Sequence, residues 1–219
     1  MTEHPIIFTT PMVRAILEGR KTQTRRVINP QPQLRIFPRH GCWSEGGITA
    51  DTSIWTCPYG EAGHLLWVRE TWGECIFPGG DTYFARRKIA YKADGEPKFV
   101  IEKWRSPYHL FKKDARLWLE VVKVRVERVQ EISEGDAIAE GMVAEGRTTP
   151  PAGSIGLPDK IKTARFPIGQ FAGLWDSLNA KRWHIWTDDE GKKHRTWVDF
   201  GWDQNPWVWV IEFRKIERC

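Results

Sequence analysis

The sequence has little cysteine and no long hydrophobic run. The four cysteines among its 219 residues are too few and too irregularly spaced for a disulfide framework, so reduced thiols are expected. No apolar run approaches the ~20 residues that a membrane span needs. The first residues, MTEHPIIFTT, lack the basic region and the long apolar stretch of a signal peptide. We therefore expect a cytoplasmic protein with no membrane partner.

Several signatures of chemistry are also missing. The chain contains no Gly-rich phosphate loop, no Ser/His/Asp signature and no internal repeat. Residues of zinc-compatible type do occur in one region, but without a tight Cys-x-x-Cys spacing. These residues are His40, Cys42, Cys57 and His64. The sequence therefore favours a protein without metal or other cofactor, and a zinc site on these four residues is the less favoured alternative.

Positive charge and tryptophan are what the sequence has in excess. Lysine and arginine number 33 against 28 acidic residues, which gives a net charge of +5 and suits an anionic partner without requiring one. The 13 tryptophans carry more aromatic area than a surface tolerates, so most are expected to be buried. A few remain available as stacking platforms for bases.

Hydrophobic periodicity predicts a mixture of strands and helices. PIIFTT is typical of a short strand, and PMVRAILEGR is typical of a helix that ends at Gly19. In RLWLEVVKVRVERV, alternation predicts a half-buried strand with Val122, Val124 and Val126 on one face. Ser133 has the capping-box spacing that begins a helix, and a glycine eight residues on closes that helix.

The end of the chain predicts one more helix and one more strand. PIGQFAGLWDSLNAK carries Phe171, Leu174, Trp175 and Leu178 at helical spacing, which predicts a helix docked on the core. NPWVWVIEFRKI alternates bulky apolar residues and predicts a terminal strand. Irregular segments are expected near residues 29–62 and 144–165, whereas the segment near 74–114 is mixed, with TYFARR and KIAYKAD as candidates for a hairpin.

The stretch GRKTQTRR, directly behind the first helix, has four cations and two threonines within eight residues. Its cations are Arg20, Lys21, Arg25 and Arg26. Such a run is open to three interpretations: a solvated surface, a set of phosphate contacts, or a Lys/Thr pair arranged for chemistry.

Three stretches together resemble the ASCH domain, in the elaborated form that is frequent in phage and prophage genomes. They are GRKTQTRR, LWVRETW, and WDSLN followed by NPWVWVIEF. The resemblance implies an α+β fold, a PUA-like mixed β-barrel with flanking helices and long inserted loops. The matching core lies near residues 5–28, 62–73, 115–143 and 166–214 of a single domain, 1–219, and the segments near 29–62, 74–114 and 144–165 are then insertions.

Relatives in this family include amidohydrolases that act on N4-acetylcytidine, and members with ribonuclease activity. The resemblance implies Lys21, Thr24 and Glu140 as the catalytic residues. It also implies a cleft in which the basic stretch contacts the substrate and an aromatic ring stacks on the base. Candidate substrate-binding residues are Arg20, Arg25, Arg26, Arg69, Trp72 and Trp207.

Amide hydrolysis requires an activated nucleophile and a proton donor for the leaving amine. Thr24 is a nucleophile only beside a base, and Lys21 becomes a base if burial and nearby arginines lower its pKa from ~10.4. Glu140 opposes that shift, so it suits a proton shuttle or an orienting group. Lys21 and Thr24 converge only if Lys21 lies in a turn and the strand begins at about Thr22.

The sequence thus predicts a protein that binds a nucleoside, a nucleotide or RNA, and leaves three functions open. The first is hydrolysis of an acylated cytidine by Lys21, Thr24 and Glu140. The second is RNA binding without turnover, with Lys21, Arg25 and Arg26 on phosphates. The third is metal-independent RNA cleavage by the same cations. For Glu70, an ion pair on a strand is the favoured interpretation, and Arg69 is kept as a substrate contact.

Overall fold

The computed structural model describes residues 2–32, 36–39, 42–45, 54–76, 88–97, 100–143, 166–187 and 190–217. Within these ranges the side chains of 36–39, 42–45, 54–55, 76 and 182–187 are not described. The fold is α+β, with several sheets and few helices.

A mixed five-stranded sheet forms the centre of the molecule. Its strands are β1 (Glu3–Ile7), β2 (Gln23–Val27), β6 (Leu65–Arg69), β10 (Trp118–Arg128) and β13 (Trp207–Ile216), in the order β1-β6-β10-β13-β2. β1 and β6 are parallel, and the other neighbours are antiparallel. β1 and β2 are therefore the two edges of this sheet.

The remaining strands belong to three small sheets. β3 (Ile36–Arg39), β4 (Cys42–Glu45) and β5 (Ile54–Trp55) form one, and β7 (Trp72–Ile76), β8 (Ile89–Tyr91) and β9 (Val100–Ile101) form another. β11 (Arg182–Thr187) and β12 (Lys193–Val198) form a hairpin. The first of these sheets lies in the segment 29–62, which therefore holds more regular structure than its composition indicated. In the segment 74–114, β8 lies within KIAYKAD as a strand, while TYFARR lies outside the described residues.

In the described part of the chain, three α-helices pack on the central sheet. α1 is Thr10–Leu17, α2 is Glu134–Ala139 and α3 is Pro167–Asn179. α1 ends before Gly19, whose φ of +76° suits glycine, and α2 begins with the expected capping box at Ser133. No helix of the described ranges is long and apolar enough to span a bilayer.

Apolar side chains of the central sheet pack on both of its faces. One cluster joins α1 to β1, β6, β10 and β13 and includes Phe8, Leu119 and Phe213. The other joins the opposite face of β13 to α2 and α3 and includes Phe171 and Val210. Both faces of the terminal strand are therefore buried, which is why its sequence is apolar almost throughout.

The predicted phase of the long strand is wrong at Val122. The register between β10 and β13 shifts between Val121 and Lys123, where a β-bulge adds one residue to β10. Val121 is consequently buried, whereas 51% of Val122 is exposed. Beyond the bulge, Val124 and Val126 pack against the core as their alternation predicts.

Candidate active site

The turn between α1 and β2 positions the basic stretch. The backbone N–H groups of Arg20 and Lys21 both donate to the carbonyl of Ala15, at 2.9 and 3.0 Å, so the chain reverses directly behind the helix. β2 begins at Gln23. Lys21 therefore lies in a turn and Thr24 on a strand, which is the arrangement that a shared site requires.

Three hydrogen bonds hold the C-terminal end of α2 against this turn. Three successive carbonyls, of Ala139, Glu140 and Gly141, accept from the Thr22 N–H at 2.8 Å, the Lys21 ammonium at 2.8 Å and the Arg20 guanidinium at 3.0 Å. These are carbonyls that a helix end leaves without intrahelical partners. The contact fixes the position of Glu140 relative to Lys21.

Gly141 makes this close approach sterically possible. Its φ is +98°, and a Cβ at this position would lie 3.1 Å from the Cβ of Ala15 and 3.4 Å from that of Lys21. A larger residue would therefore push the end of α2 away from the turn, and the carboxylate of Glu140 with it.

Lys21 and Glu140 form a buried ion pair. The Nζ of Lys21 lies 2.6 Å from Oε2 of Glu140, and the two side chains are 0% and 3% exposed. Burial lowers the pKa of Lys21, and the charges of Arg26 and Arg25 act in the same direction, while Glu140 opposes the shift. The lysine consequently gives up its proton more easily than a free lysine does.

Arg25 is held by a second set of carboxylates. Its guanidinium pairs with Glu140 at 3.3 Å, with Asp136 at 3.3 Å and with Glu127, and its side chain is fully buried. Arg125 continues the network to Glu127 and Asp136. Arg25 thus anchors α2 to the sheet, and its charge is already compensated.

A cavity of about 650 Å³ opens between the two edge strands. β1 contributes Ile7 and β2 contributes Thr24 and Arg26, while the Nη2 of Arg26 donates to the carbonyl of Ile7 at 2.7 Å across the gap. The central sheet therefore curls so that its edges approach each other. Glu140 lines the same cavity, but Lys21 lies behind it and does not.

The other walls of the cavity are mostly aromatic and apolar, with one arginine. On one side are Tyr59, Arg69 and Tyr108. On the other side α3 presents Leu174 and Leu178, which were predicted to dock on the core and instead face the cavity together with the buried Phe171 and Trp175. No sequence pattern distinguished the cavity-facing leucines from core residues, because both occur at the same helical spacing.

The proposed substrate-binding residues are distributed unevenly. Arg26 and Arg69 line the cavity, and so does Arg25 within its ion-pair network. Arg20 points elsewhere, to Glu18 and the Gly141 carbonyl. Trp72 is buried below a neighbouring pocket, and Trp207 packs under the Arg128 guanidinium, 4.3 Å from its ring centre. Neither tryptophan lines this cavity.

Tyr59 and Tyr108 are two cavity aromatics that sequence reasoning missed. Both lie in segments expected to be insertions, where single tyrosines carry no periodic signal.

The favoured interpretation of Glu70 is confirmed: this buried carboxylate forms a bidentate pair with Arg116, at 2.9 and 3.1 Å.

The zinc alternative receives no support from the described residues. Cys57 is a free thiol whose pKa burial raises to about 11, and the ring of His64 stacks on that of His4, with centroids 5.6 Å apart. His40 and the side chain of Cys42 lie outside the described residues. Among the described residues, no group of three or more His, Cys, Asp or Glu side chains is placed to hold a metal ion.

In comparisons with known proteins, no family model, no curated protein and no solved structure matches the chain.

Proposed function

We propose that the protein is an ASCH-type, PUA-like barrel protein that hydrolyses the amide of an acylated cytidine. The approach of strands β1 and β2, bridged by Arg26, supports a barrel-like closure of the central sheet. The cavity volume of about 650 Å³ lies within the range of roughly 300–1,000 Å³ typical of small-molecule sites.

One observation carries the proposal: a buried lysine of lowered pKa is held by a carboxylate at the wall of a cavity that a threonine also lines. These residues are Lys21, Glu140 and Thr24. A structural ion pair alone does not require a cavity at the pair. An acid and a hydroxyl that line one cavity, with a base buried directly behind the acid, are the groups that amide hydrolysis needs.

In the proposed reaction, the Thr24 hydroxyl attacks the carbonyl carbon of the acyl group while Lys21, directly or through one water, accepts its proton. The C–N4 bond then breaks, and the proton is returned to N4 by way of Glu140. This leaves an acyl ester on Thr24 and releases cytidine. A water attacks that ester after giving its proton to Lys21, and acetate leaves as the threonine regains its hydrogen.

The test is incubation of the purified protein with N4-acetylcytidine, with cytidine and acetate followed by chromatography. Thr24→Val keeps the shape of the buried side chain and removes the hydroxyl, so we expect at least a 100-fold loss of turnover with the fold retained. Thr22→Val is the matched control, because Thr22 is exposed and only its backbone N–H contacts α2.

Lys21→Arg separates the base from a simple cation. Arginine retains the positive charge but does not give up its proton near neutral pH, so turnover is expected to collapse while the ligand still binds. Lys123→Arg, on an exposed lysine, is the control. Undiminished hydrolysis in either Thr24→Val or Lys21→Arg would exclude the assigned roles.

Non-catalytic RNA binding is the second candidate function. It is favoured by the composition of one cavity wall, where Arg69 packs over the ring of Tyr108 at 6.0 Å and Arg26 over that of Tyr59 at 6.0 Å. In this function Arg26 and Arg69 hold phosphates, rather than Lys21 and Arg25, whose charges are compensated internally. RNA that binds without any turnover of N4-acetylcytidine would select this function.

A further inference from the structure

Residues 103–113, KWRSPYHLFKK, form an exposed segment beside the cavity that we term the basic strip. It carries four Lys or Arg residues and one histidine, and no acidic residue. Two aromatic side chains stand out from it, with Tyr108 69% and Phe111 62% exposed. The two rings line one pocket together, and neighbouring exposed rings are a feature of interaction surfaces.

The basic strip is fixed to the fold along its length. Arg105 exchanges backbone hydrogen bonds with Trp72, at 2.7 and 3.4 Å, and the Nε of Arg69 donates to the carbonyl of Pro107 at 3.1 Å. Leu110 is buried, and Lys112 forms an ion pair with Glu3. The exposed rings and ammonium groups are therefore presented by an anchored backbone.

The basic strip is continuous with the cavity. A second pocket, of about 320 Å³, is lined by Arg69, Arg105, Tyr108 and Phe111, with Trp72 at its base. Arg69 and Tyr108 line both this pocket and the 650 Å³ cavity. A ligand in the cavity thus meets the basic strip directly at these two residues.

Charge on the basic strip is also only partly compensated. Arg105 pairs with Glu74 at 3.2 Å near the surface, where such a pair is weak, and Lys112 pairs with Glu3. Within the described part of the chain, Lys103 and Lys113 have no ion pair, and neither does Arg69. Cations spaced among exposed rings are the combination that binds a single-stranded nucleic acid, with rings on bases and cations on phosphates.

We propose that the basic strip binds the nucleotides that adjoin the one in the cavity, so that the substrate is a base within a single-stranded polynucleotide rather than a free nucleoside. This inference rests on the proposed function for what happens in the cavity, but it concerns a different surface. Phe111 is expected to stack on a neighbouring base, and Lys103 and Lys113 to contact phosphates.

The test measures binding of a short fluorescein-labelled, unmodified RNA by anisotropy, and hydrolysis of free N4-acetylcytidine in parallel. Phe111→Ala should weaken RNA binding about 5- to 150-fold. Lys103→Ala/Lys113→Ala should lower the slope of log affinity against log salt by about 0.7 per lysine. Both variants should hydrolyse the free nucleoside at the wild-type rate, because none of these residues lines the cavity.

Matched controls use exposed residues elsewhere on the chain. Phe166→Ala controls for loss of an exposed ring, and Lys123→Ala/Lys215→Ala for loss of two exposed charges. Both should bind RNA with the wild-type affinity and salt slope. A DNA oligonucleotide of the same sequence is the second ligand. If the strip variants lose affinity equally for RNA and DNA, the basic strip recognises phosphates and bases. If they lose affinity for RNA alone, it also contacts the ribose.

The outcomes separate this inference from the proposed function. If the strip variants lose RNA affinity and the wild type does not hydrolyse N4-acetylcytidine, the basic strip is a polynucleotide site and the amidohydrolase proposal fails. If the wild type hydrolyses the nucleoside and the strip variants bind RNA like their controls, the amidohydrolase proposal stands and the proposed role of the basic strip is overturned. Wild-type protein that binds neither RNA nor DNA would also overturn it.

Discussion

Replacing Lys21 by methionine tests the electrostatics on which the proposed chemistry depends. Methionine keeps most of the length and volume of the lysine stem and removes the ammonium group, leaving the carboxylate of Glu140 buried. The quantity to follow is the free energy of unfolding, measured with urea and tryptophan fluorescence, because four tryptophans of the described residues are buried: Trp72, Trp118, Trp175 and Trp209.

The structure sets the magnitude expected for this change. Removing one partner of a buried pair typically costs about 3–5 kcal/mol. Arg25 remains 3.3 Å from Glu140 and still compensates it, so we expect the lower end, about 3 kcal/mol. The double variant Lys21→Met/Glu140→Gln should regain about 1–2 kcal/mol of that loss, because no unpaired carboxylate is left and Arg25 keeps Glu127 and Asp136.

The pH dependence identifies the protonation state of Lys21. Because burial lowers its pKa in the folded protein, unfolding takes up a proton between that lowered pKa and the ~10.4 of the unfolded chain. The free energy of unfolding of the wild type therefore rises with pH across this interval, by at most about 1.4 kcal/mol per pH unit. Lys21→Met lacks this contribution, so its deficit relative to wild type should widen as the pH rises.

Taking the difference between the two proteins removes the other titrations. Tyr91 and Cys57, whose pKa values burial raises to about 12 and about 11, contribute equally to both unfolding curves. Measurements from about pH 7 to about pH 10 cover the useful range. A deficit that stays constant or narrows with rising pH would mean that the folded pKa of Lys21 is not lowered, and the assignment of this lysine as a base would be refuted.

Three further predictions concern the structure around the site. Gly141→Ala should destabilise the protein by about 1–3 kcal/mol in urea unfolding, since its φ is +98° and its new Cβ would lie 3.1 Å from that of Ala15. Arg116→Met should destabilise it by about 3 kcal/mol at pH 7, because the buried Glu70 loses its bidentate partner. Burial already raises the pKa of Glu70, so the loss of unfolding free energy in Arg116→Met should shrink as the pH falls towards 4 and the carboxyl protonates. A loss that does not change with pH would contradict the role of the Glu70 charge. Burial raises the pKa of Cys57 to about 11, so at pH 8 it should hold roughly 100-fold less thiolate than a cysteine of ordinary pKa. It should therefore react slowly with iodoacetamide, as measured by mass spectrometry of the alkylated peptides. Rapid labelling would contradict the burial of its sulfur.

Local signals in the sequence located most elements of the central sheet but not their exact phase. Capping and periodicity depend on neighbouring residues, so helix α2 and the strand β10 were predictable from them. The bulge between Val121 and Lys123 depends on how β10 pairs with β13, nearly 90 residues away along the chain. Nothing local distinguishes a regular valine alternation from one that is interrupted by an extra residue.

The same distinction explains which parts of the site could be predicted. The basic stretch and the glutamate at the end of α2 are each visible in the sequence, but the carboxylates around Arg25 come from β10 and α2, more than 100 residues further on. A cation looks identical in sequence whether it faces solvent or a buried carboxylate. Whether Arg25 is available to a phosphate depends on its carboxylate partners, and only the folded structure shows which residues these are.

The positions of the cations indicate two different roles around the cavity, one in proton transfer and one in ligand binding. Lys21 and Arg25 lie within a compensated ion-pair network that fixes Glu140, and burial lowers the pKa of Lys21. Arg26 and Arg69, with hydrogen bonds to backbone carbonyls, lie at the cavity wall where an anionic ligand can reach them. A cation that must exchange protons works best when it is buried, and a cation that must hold a phosphate works best when it is accessible. One basic stretch of sequence is thus divided by the fold between these two tasks, and the charge of a ligand should be sought at the cations that line the cavity.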